Sequence, residues 1–420
     1  MRDLEPERYF LLEKIRSTFY EVSRTFGFQL MEPSPIEQLE TLEAKSGPAI
    51  RDDIYYFKDK AGREIGLRFD LTVGLTRYVC SKRGVQLPVK LATFSDMWRY
   101  DEPQYGRYRW FYQWDVEIFG SSSVHADAEV IEFTSVLFQR LGLKDVLIEV
   151  GDRTLVEEFV RKELGVENEL VILELLRALD KVGKKPLQDI VKEYREKGVS
   201  REYLSRLVDF GKIKGASEHV FEALRELNLS AFESLSKLVD ALKSRSLTNV
   251  ELNMGIVRGL YYYTGIVFET YDQEDMDLGA LCGGGRYDSL PGIFGRPDMR
   301  ATGVAGGVER AMIALSKRKA KTETEKPLVF VAYAIPKLLG EAAEVASTLR
   351  KNGIPTDFDF ASRNLKKQLE LASSKQATYA LIVAPEEYSQ DQLILRDMGS
   401  GSQTLVPKQG LARAISSRLA

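Results

Sequence analysis

Apolar residues recur at alternating steps of three and four from Leu12 through Ile15, Phe19 and Val22 to Phe26. That stripe predicts an amphipathic helix, which Gly27 ends. Pro33 and Pro35 then force extended backbone. Residues 54–58 and 64–70 read as strands on either side of a Lys60-Ala61-Gly62 turn, and a second helix is expected over 71–82. From 91 to 119 the chain is dense in Trp, Tyr, Phe and Val. It reads as two long strands, LATFSDMWRYDE and WFYQWDVEIF, joined by the polar loop PQYGRYR. So short a connection implies antiparallel pairing rather than a βαβ crossover. A helix is expected over 126–141.

Residues 152–248 change character. Leucines such as Leu170, Leu173, Leu176 and Leu179 alternate with Lys/Glu faces, strand signals nearly vanish, and a helical insertion is expected. The β-rich pattern resumes over 250–270, a Gly-rich stretch covers 279–295, and GVAGGVERAMIAL reads as a strand running into a helix. Residues 316–326 (SKRKAKTETEK) have no large apolar side chain and read as a solvated linker. Beyond them, LVFVAYA, TDFDF and YALIVAP alternate with helical stretches near 337–352 and 363–374, and two further strands and a last helix follow. This alternation predicts a compact α/β domain with a partly parallel sheet. The expected architecture is an α+β domain built on an antiparallel β-sheet (1–151 and 249–320), a helical insertion (152–248) and a C-terminal α/β domain (327–420).

Composition narrows the function classes. The 420 residues carry 59 Lys+Arg against 62 Asp+Glu, with 44% hydrophobic and 29% charged residues. Those proportions exclude a disordered or collagen-like chain. The near-neutral balance neither requires nor excludes nucleic acid, which local basic patches can hold. Cys80 and Cys282 form no CxxC pair and read as lone thiols; with only His125 and His219, His-rich sites and HExxH zinc chemistry are excluded. No apolar run reaches the ~20 residues of a membrane span. The charged start MRDLEPERYF has no signal-peptide core, so no membrane association and a cytoplasmic location are expected.

Three segments carry chemistry. In WRYDEPQYGRYRWFYQWDVE, Arg99, Arg107 and Arg109 interleave with Asp101, Glu102, Asp115 and Glu117. On a strand Gln113, Asp115 and Glu117 share a face, as Arg99 and Asp101 do on the other strand. Such a face suits a zwitterionic or phosphorylated ligand, and cross-strand ion pairs on a solvated sheet account for it equally. In MGIVRGLYYYTGIVFETY, Arg258 sits among apolar residues and needs an anionic partner, whether a ligand or an internal carboxylate. Tyr262 and Tyr263 beside it read on their own as core or interface aromatics. The glycines of LCGGGRYD and GVAGGV let backbone come close to a ligand or another strand, but they fit neither a P-loop nor a GxGxxG fingerprint.

Taken together and in this order, the segments resemble the class II aminoacyl-tRNA synthetases, specifically the histidyl-tRNA synthetase family, over nearly the whole chain. RDLEP is similar to the family's N-terminal TRDFLP. The region of Pro33 and Pro35 stands where motif 1 belongs. WRYDEPQYGRYRWFYQWDVEIFG resembles motif 2 and its loop, VRGLYYYTGIVFE and LCGGGRYD the two histidine-specific segments, and GVAGGVERAMIAL motif 3. The tail, with GIPTDFD, LKKQLELA and YALIVAPEE, resembles the anticodon-binding domain. The sequence departs from the family pattern at Tyr261, where Asp is frequent, and at Phe69 and Gly74, where prolines are common.

The resemblance implies a class II catalytic domain, a homodimer, and a ligase that joins L-histidine to tRNA(His) with ATP and Mg²⁺, the metal held through ATP phosphates rather than by side chains. It implies that Arg99 grips the α-phosphate, that Arg310 lies against the adenine and the distal phosphates, and that Asp101 and Arg107 belong to the ATP site. Asp70, Thr72 and Gln113 would receive the histidine α-amino group, and Arg258 would bridge its carboxylate and the α-phosphate. Glu117 and Tyr263 would bind the imidazole nitrogens, with Tyr262 in the same histidine-binding segment. The helical insertion would lie over the acceptor arm, where Lys181, Lys184 and Lys185 offer a basic cluster that reads otherwise as a solvated helix end. Two non-catalytic alternatives remain, a regulatory relative of the kind that binds ATP-phosphoribosyltransferase and a tRNA-sensing module. The regulatory relatives lack an anticodon-binding domain, and residues 327–420 argue against them.

Overall fold

The structure is a computed structural model that describes residues 3–46, 48–100, 102, 106, 108–182, 185–229, 232–257, 263–318 and 329–419, without the side chains of residues 45, 46, 48 and 49. Asp101, Arg107, Lys184, Arg258, Tyr261, Tyr262 and residues 319–326 of the expected linker lie outside it. The chain divides into two compact units, Met1–Ala320 and Lys321–Ala420.

The first unit is built on a nine-stranded sheet. In spatial order its strands are Gln29–Leu30, Val89–Trp98, Trp110–Phe119, Ala301–Gly307, Cys282–Arg286, Ile266–Asp272, Val146–Asp152, Val250–Asn253 and Lys214–Gly215. The five central pairings, from Val89–Trp98 across to Val146–Asp152, are antiparallel. Two parallel pairings, Gln29–Leu30 with Val89–Trp98 and Val146–Asp152 with Val250–Asn253, make the sheet mixed.

Strand alternation gives the sheet two unlike faces. Trp114, Val116 and Ile118 point into the main core, against Phe19 of the helix Pro6–Thr25 and Phe133 of the helix Val124–Leu141. The first helix buries the predicted Leu12, Ile15, Phe19 and Val22 and ends where Gly27 turns to φ +74°. On the opposite face lie Gln113, Asp115 and Glu117, all buried.

Six helices, from Arg153–Lys162 to Phe232–Ser244, fill the stretch expected to be helical. One short strand, Lys214–Gly215, joins the edge of the main sheet there. The expected leucine stripe does not all go inside. A constant step of three slips about 60° round a 3.6-residue helix at each step, so Leu176 and Leu179 are buried while Leu170 is 73% exposed. The interior face is Ile172, Leu175, Leu176, Ala178 and Leu179. The expected linker also begins later than its composition suggests. The helix Val308–Lys317 continues into it, Lys317 pairs with Asp275, and Arg318 makes hydrogen bonds of 2.8 and 2.6 Å to Asp272. Lys181 and Lys185, candidates for phosphate contact, both pair with Glu193.

Asp152 caps the helix Arg153–Lys162, accepting the Thr154 N–H at 2.9 Å. Burial pushes its carboxyl from the ordinary 3.8 up to about 6, against the lowering effect of that hydrogen bond. Between those values the folded chain holds a proton that the unfolded chain has released. The contribution to stability is therefore complete below pH 3.8 and lost as pH rises through about 6. Asp152→Asn keeps the cap without the buried charge. In denaturant melts it is expected to raise stability by about 1–3 kcal/mol at pH 8 and to change little at pH 4. Equal effects at both pH values would contradict this.

The second unit carries a five-stranded sheet in the order Thr356–Phe358, Val329–Tyr333, Tyr379–Val383, Gln392–Asp397, Gln403–Pro407. Its first two pairings are parallel and its last two antiparallel. The helices Leu339–Lys351 and Leu365–Ser374 connect the parallel strands.

Candidate active site

The polar face of the large sheet is ordered by strand register. Glu117 stands opposite Gly303, which pairs in turn with Gly285, Val267 and Gly151. The neighbouring row runs Thr93, Asp115, Ala305, Gly283, Glu269, Glu149. A floor of Gly and Ala therefore lies between the acids of the strand Trp110–Phe119 and those of the strands beyond. Glycine at 303 is a steric requirement, because a Cβ there would fall on the Glu117 carboxylate. On the other face a Cβ at Gly306 would fall on the Trp114 indole. The glycines at 303 and 306 thus serve close contact between strands.

Glu117 is 1% exposed, and the Tyr287 hydroxyl donates to its Oε2 at 2.6 Å. Tyr263 is buried in the same apolar cluster as Tyr287, Leu91 and Leu75. Two residues along the strand, Asp115 accepts from Gln113 Nε2 at 2.8 Å and from Thr72 Oγ1 at 3.4 Å. Thr72 comes from the helix Leu71–Ser81, which Asp70 caps by accepting the Val73 N–H at 3.0 Å. Thr93 and Ser95 lie opposite Asp115 and Gln113, and their buried hydroxyls have no hydrogen-bond partner among the described residues. A polar ligand on the floor would supply what they lack.

Two cationic side chains reach this region. Arg99 closes the hairpin through its N–H to Arg109 O at 2.9 Å. Its Nε donates to Phe69 O at 2.9 Å, and its guanidinium lies 5.1 Å from the centre of the Phe111 ring. Arg99 is thereby tied to the turn that leads into Asp70. Gly307, paired with Gln113, leads directly into the helix that carries Arg310. Arg310 Nη1 donates to Ala280 O at 2.7 Å, and Gly106 of the hairpin loop packs near its stem. The structure thus brings Thr72, Gln113, Glu117 and Tyr263 to one side of the sheet and fastens Arg99 and Arg310 beside it. Asp101, Arg107, Arg258 and Tyr262 lie outside the described residues.

Sequence reading missed three contributors. Asp115 was placed on the right face and given no role, since only the register shows what it binds. Tyr287, just past the strand Cys282–Arg286, holds Glu117 from 170 residues away. Arg68 is buried and donates to Pro33 O, Asp96 O, Asp96 Oδ1 and Glu32 Oε1 at 2.7–2.9 Å, locking the Asp70 turn to the proline segment. Arg286, from the same run as Tyr287, faces the other way and pairs with buried Asp127 at 2.7 Å. Two departures from the family pattern also have a local reason. Phe69 fills a small core with Leu39, Leu42 and Ile54. Gly74 lets its helix lie directly on Pro33, where a Cβ would come within 2.8 Å.

Among solved structures the chain is similar to a histidyl-tRNA synthetase from a Nostoc species, with a TM-score of 0.81 and 25% identity, covering 99% of this chain and 97% of that one. This places the fold among the class II synthetases. The family model described as histidyl-tRNA synthetase matches residues 1–311, and that described as anticodon binding domain matches 328–418. Relatives named histidine–tRNA ligase include one from Pyrococcus abyssi, 36% identical over 97% of this chain and 95% of its own length. Another, from Pyrococcus furiosus, is 34% identical over 96% and 95%. The chain belongs to the histidyl-tRNA synthetase family.

Proposed function

We propose that this chain activates L-histidine with ATP, giving histidyl-adenylate and pyrophosphate, and then transfers histidine to the 3′ end of tRNA(His). The observation that carries the reading is the buried row Gln113, Asp115 and Glu117 over a floor of Gly and Ala, in a chain of this family. An ammonium group and an imidazole both need acceptors, and this row presents them out of water. Glu117 and Tyr263 bind the imidazole nitrogens, and Tyr262 is assigned to the same histidine-binding segment. A substrate lacking those nitrogens takes from Glu117 the imidazole donor assigned to it, and a loss of that kind can reject a substrate by ~10⁴-fold or more.

The reacting groups are both anions, a carboxylate and an α-phosphate. Charge grows on the α-phosphoryl oxygens and the leaving pyrophosphate as the new C–O–P link forms. Arg99 and Arg258 at the α-phosphate, and Arg310, Arg107 and Asp101 around the rest of ATP, are assigned to hold and offset that charge. No side-chain nucleophile is needed, because alignment brings the substrate's own carboxylate to phosphorus. Mg²⁺ takes oxygen ligands, and the ATP phosphates supply them. When bound it neutralises phosphate charge.

We assign 1–151 with 249–320 to catalysis, 152–248 to an insertion over the acceptor arm, and 327–420 to the anticodon, all in the cytoplasm, where this tRNA is used. The anticodon assignment is supported by Phe360, which is 74% exposed at the end of the edge strand. Buried Asp359 holds its loop by accepting from Ala361 N, Arg363 N and Tyr333 OH at 3.0–3.2 Å, so the ring is presented for stacking on an unpaired base. A second copy of the chain is supported by exposed Leu30, Ile36, Tyr56 and Phe57 around the proline segment. Incubation with ATP, Mg²⁺, L-histidine and tRNA(His) is expected to yield histidyl-tRNA. The reading fails if no charged tRNA forms with any amino acid. The regulatory alternative is the weaker one, because residues 328–418 match the anticodon binding domain.

A further inference from the structure

We infer that Asp115 is the positioning residue for the substrate's α-ammonium group: it holds Gln113 and Thr72 as hydrogen-bond acceptors. The assignment deepens the histidine-activation reading and rests on it.

The argument is one of donor and acceptor counting. Asp115 is fully buried and, as a carboxylate, only accepts hydrogen bonds. A Gln amide can turn either way, but Gln113 must direct its NH₂ to Asp115 Oδ1, 2.8 Å away, which leaves its carbonyl oxygen on the other side. A Thr hydroxyl has a single hydrogen. Thr72 directs it to Asp115 Oδ2 at 3.4 Å, so the Thr72 oxygen offers only lone pairs to anything else. An ammonium group has three donors and no acceptor. Two of the three groups assigned to receive it, Thr72 and Gln113, are thus held in the accepting state by one carboxylate, which also adds a negative charge in a place closed to water. Without that carboxylate, Gln113 could present its NH₂ and Thr72 its hydroxyl hydrogen, and each would repel the substrate nitrogen.

Asp115→Asn keeps the shape and removes the rule. Two competitive probes separate the ammonium from the rest of histidine. Histidinol keeps the ammonium and lacks the carboxylate; imidazole propionate keeps the carboxylate and lacks the ammonium. In ATP–pyrophosphate exchange the variant is expected to raise KM for histidine and Ki for histidinol by about 10- to 100-fold. Ki for imidazole propionate and KM for ATP should stay within a factor of two or so of wild type. Thr72→Val, which removes one acceptor, is the second variant, and it should shift the same two constants by a smaller factor. An Asp115→Asn enzyme that loses both probes equally, or neither, overturns the assignment while leaving the ligase reading intact. A wild-type protein with no histidine-dependent exchange sinks both.

Discussion

Replacing Arg258 with Ala or His is expected to depress histidine-dependent ATP–pyrophosphate exchange at least ~10³-fold, the scale on which an arginine aimed at a transferring phosphoryl group acts. The side chain is assigned to the one place where two anions must approach, the histidine carboxylate and the α-phosphate. A neutral alanine there leaves their repulsion unscreened. The loss should fall on the exchange rate at saturating substrates, with the far-ultraviolet spectrum and the unfolding midpoint close to wild type. Exchange within a few-fold of wild type would remove Arg258 from the mechanism.

Glu117→Ala is expected to raise KM for histidine by two orders of magnitude or more while KM for ATP changes little. The carboxylate is buried and oriented by the Tyr287 hydroxyl at 2.6 Å. Its removal takes away an imidazole acceptor and the hydrogen bond that the Tyr287 hydroxyl makes to it, at about 1 kcal/mol for the lost bond. Part of any loss is therefore one of stability, and the split between the two KM values separates the causes. Tyr287→Phe is the companion variant, because it keeps the carboxylate and frees its orientation. A smaller rise confined to histidine is the expected outcome for it. Equal rises in both KM values for Glu117→Ala would show that Glu117 does not bind the imidazole.

Much of this site was legible before any coordinates, and the reason is periodicity. Period-two alternation in WFYQWDVEIF separates Trp114, Val116 and Ile118 from Gln113, Asp115 and Glu117, whatever the rest of the fold does. What one strand cannot tell is its neighbour. That Gly303 must be glycine follows only when Glu117 is seen opposite it. Tyr287 gains its meaning from a pairing across 170 residues. In the structure Arg68 is taken up by Pro33 O and the carboxylates of Asp96 and Glu32, and Arg286 by Ser121 O and the buried Asp127.

Within the helical insertion it is the buried face that the leucine spacing misplaces. Its leucines recur every third residue, and the eye joins them into a stripe that the 3.6-residue turn does not respect, which is why Leu170 faces out. The expected linker takes in three structured residues, 316–318, because composition reports solvation and not charge pairing. Lys317 and Arg318 are as polar as their neighbours, but Asp272 and Asp275 were waiting for them from a distant strand and turn.

The central claim is that the polar face of the large sheet accepts histidine and no other amino acid for attack on ATP. Pyrophosphate exchange measured with each of the twenty amino acids in turn tests it most directly. The account predicts isotope incorporation into ATP with L-histidine at least ~10³-fold above that with any other amino acid, and dependence on Mg²⁺. Exchange supported equally by a different amino acid, or by none, would contradict it.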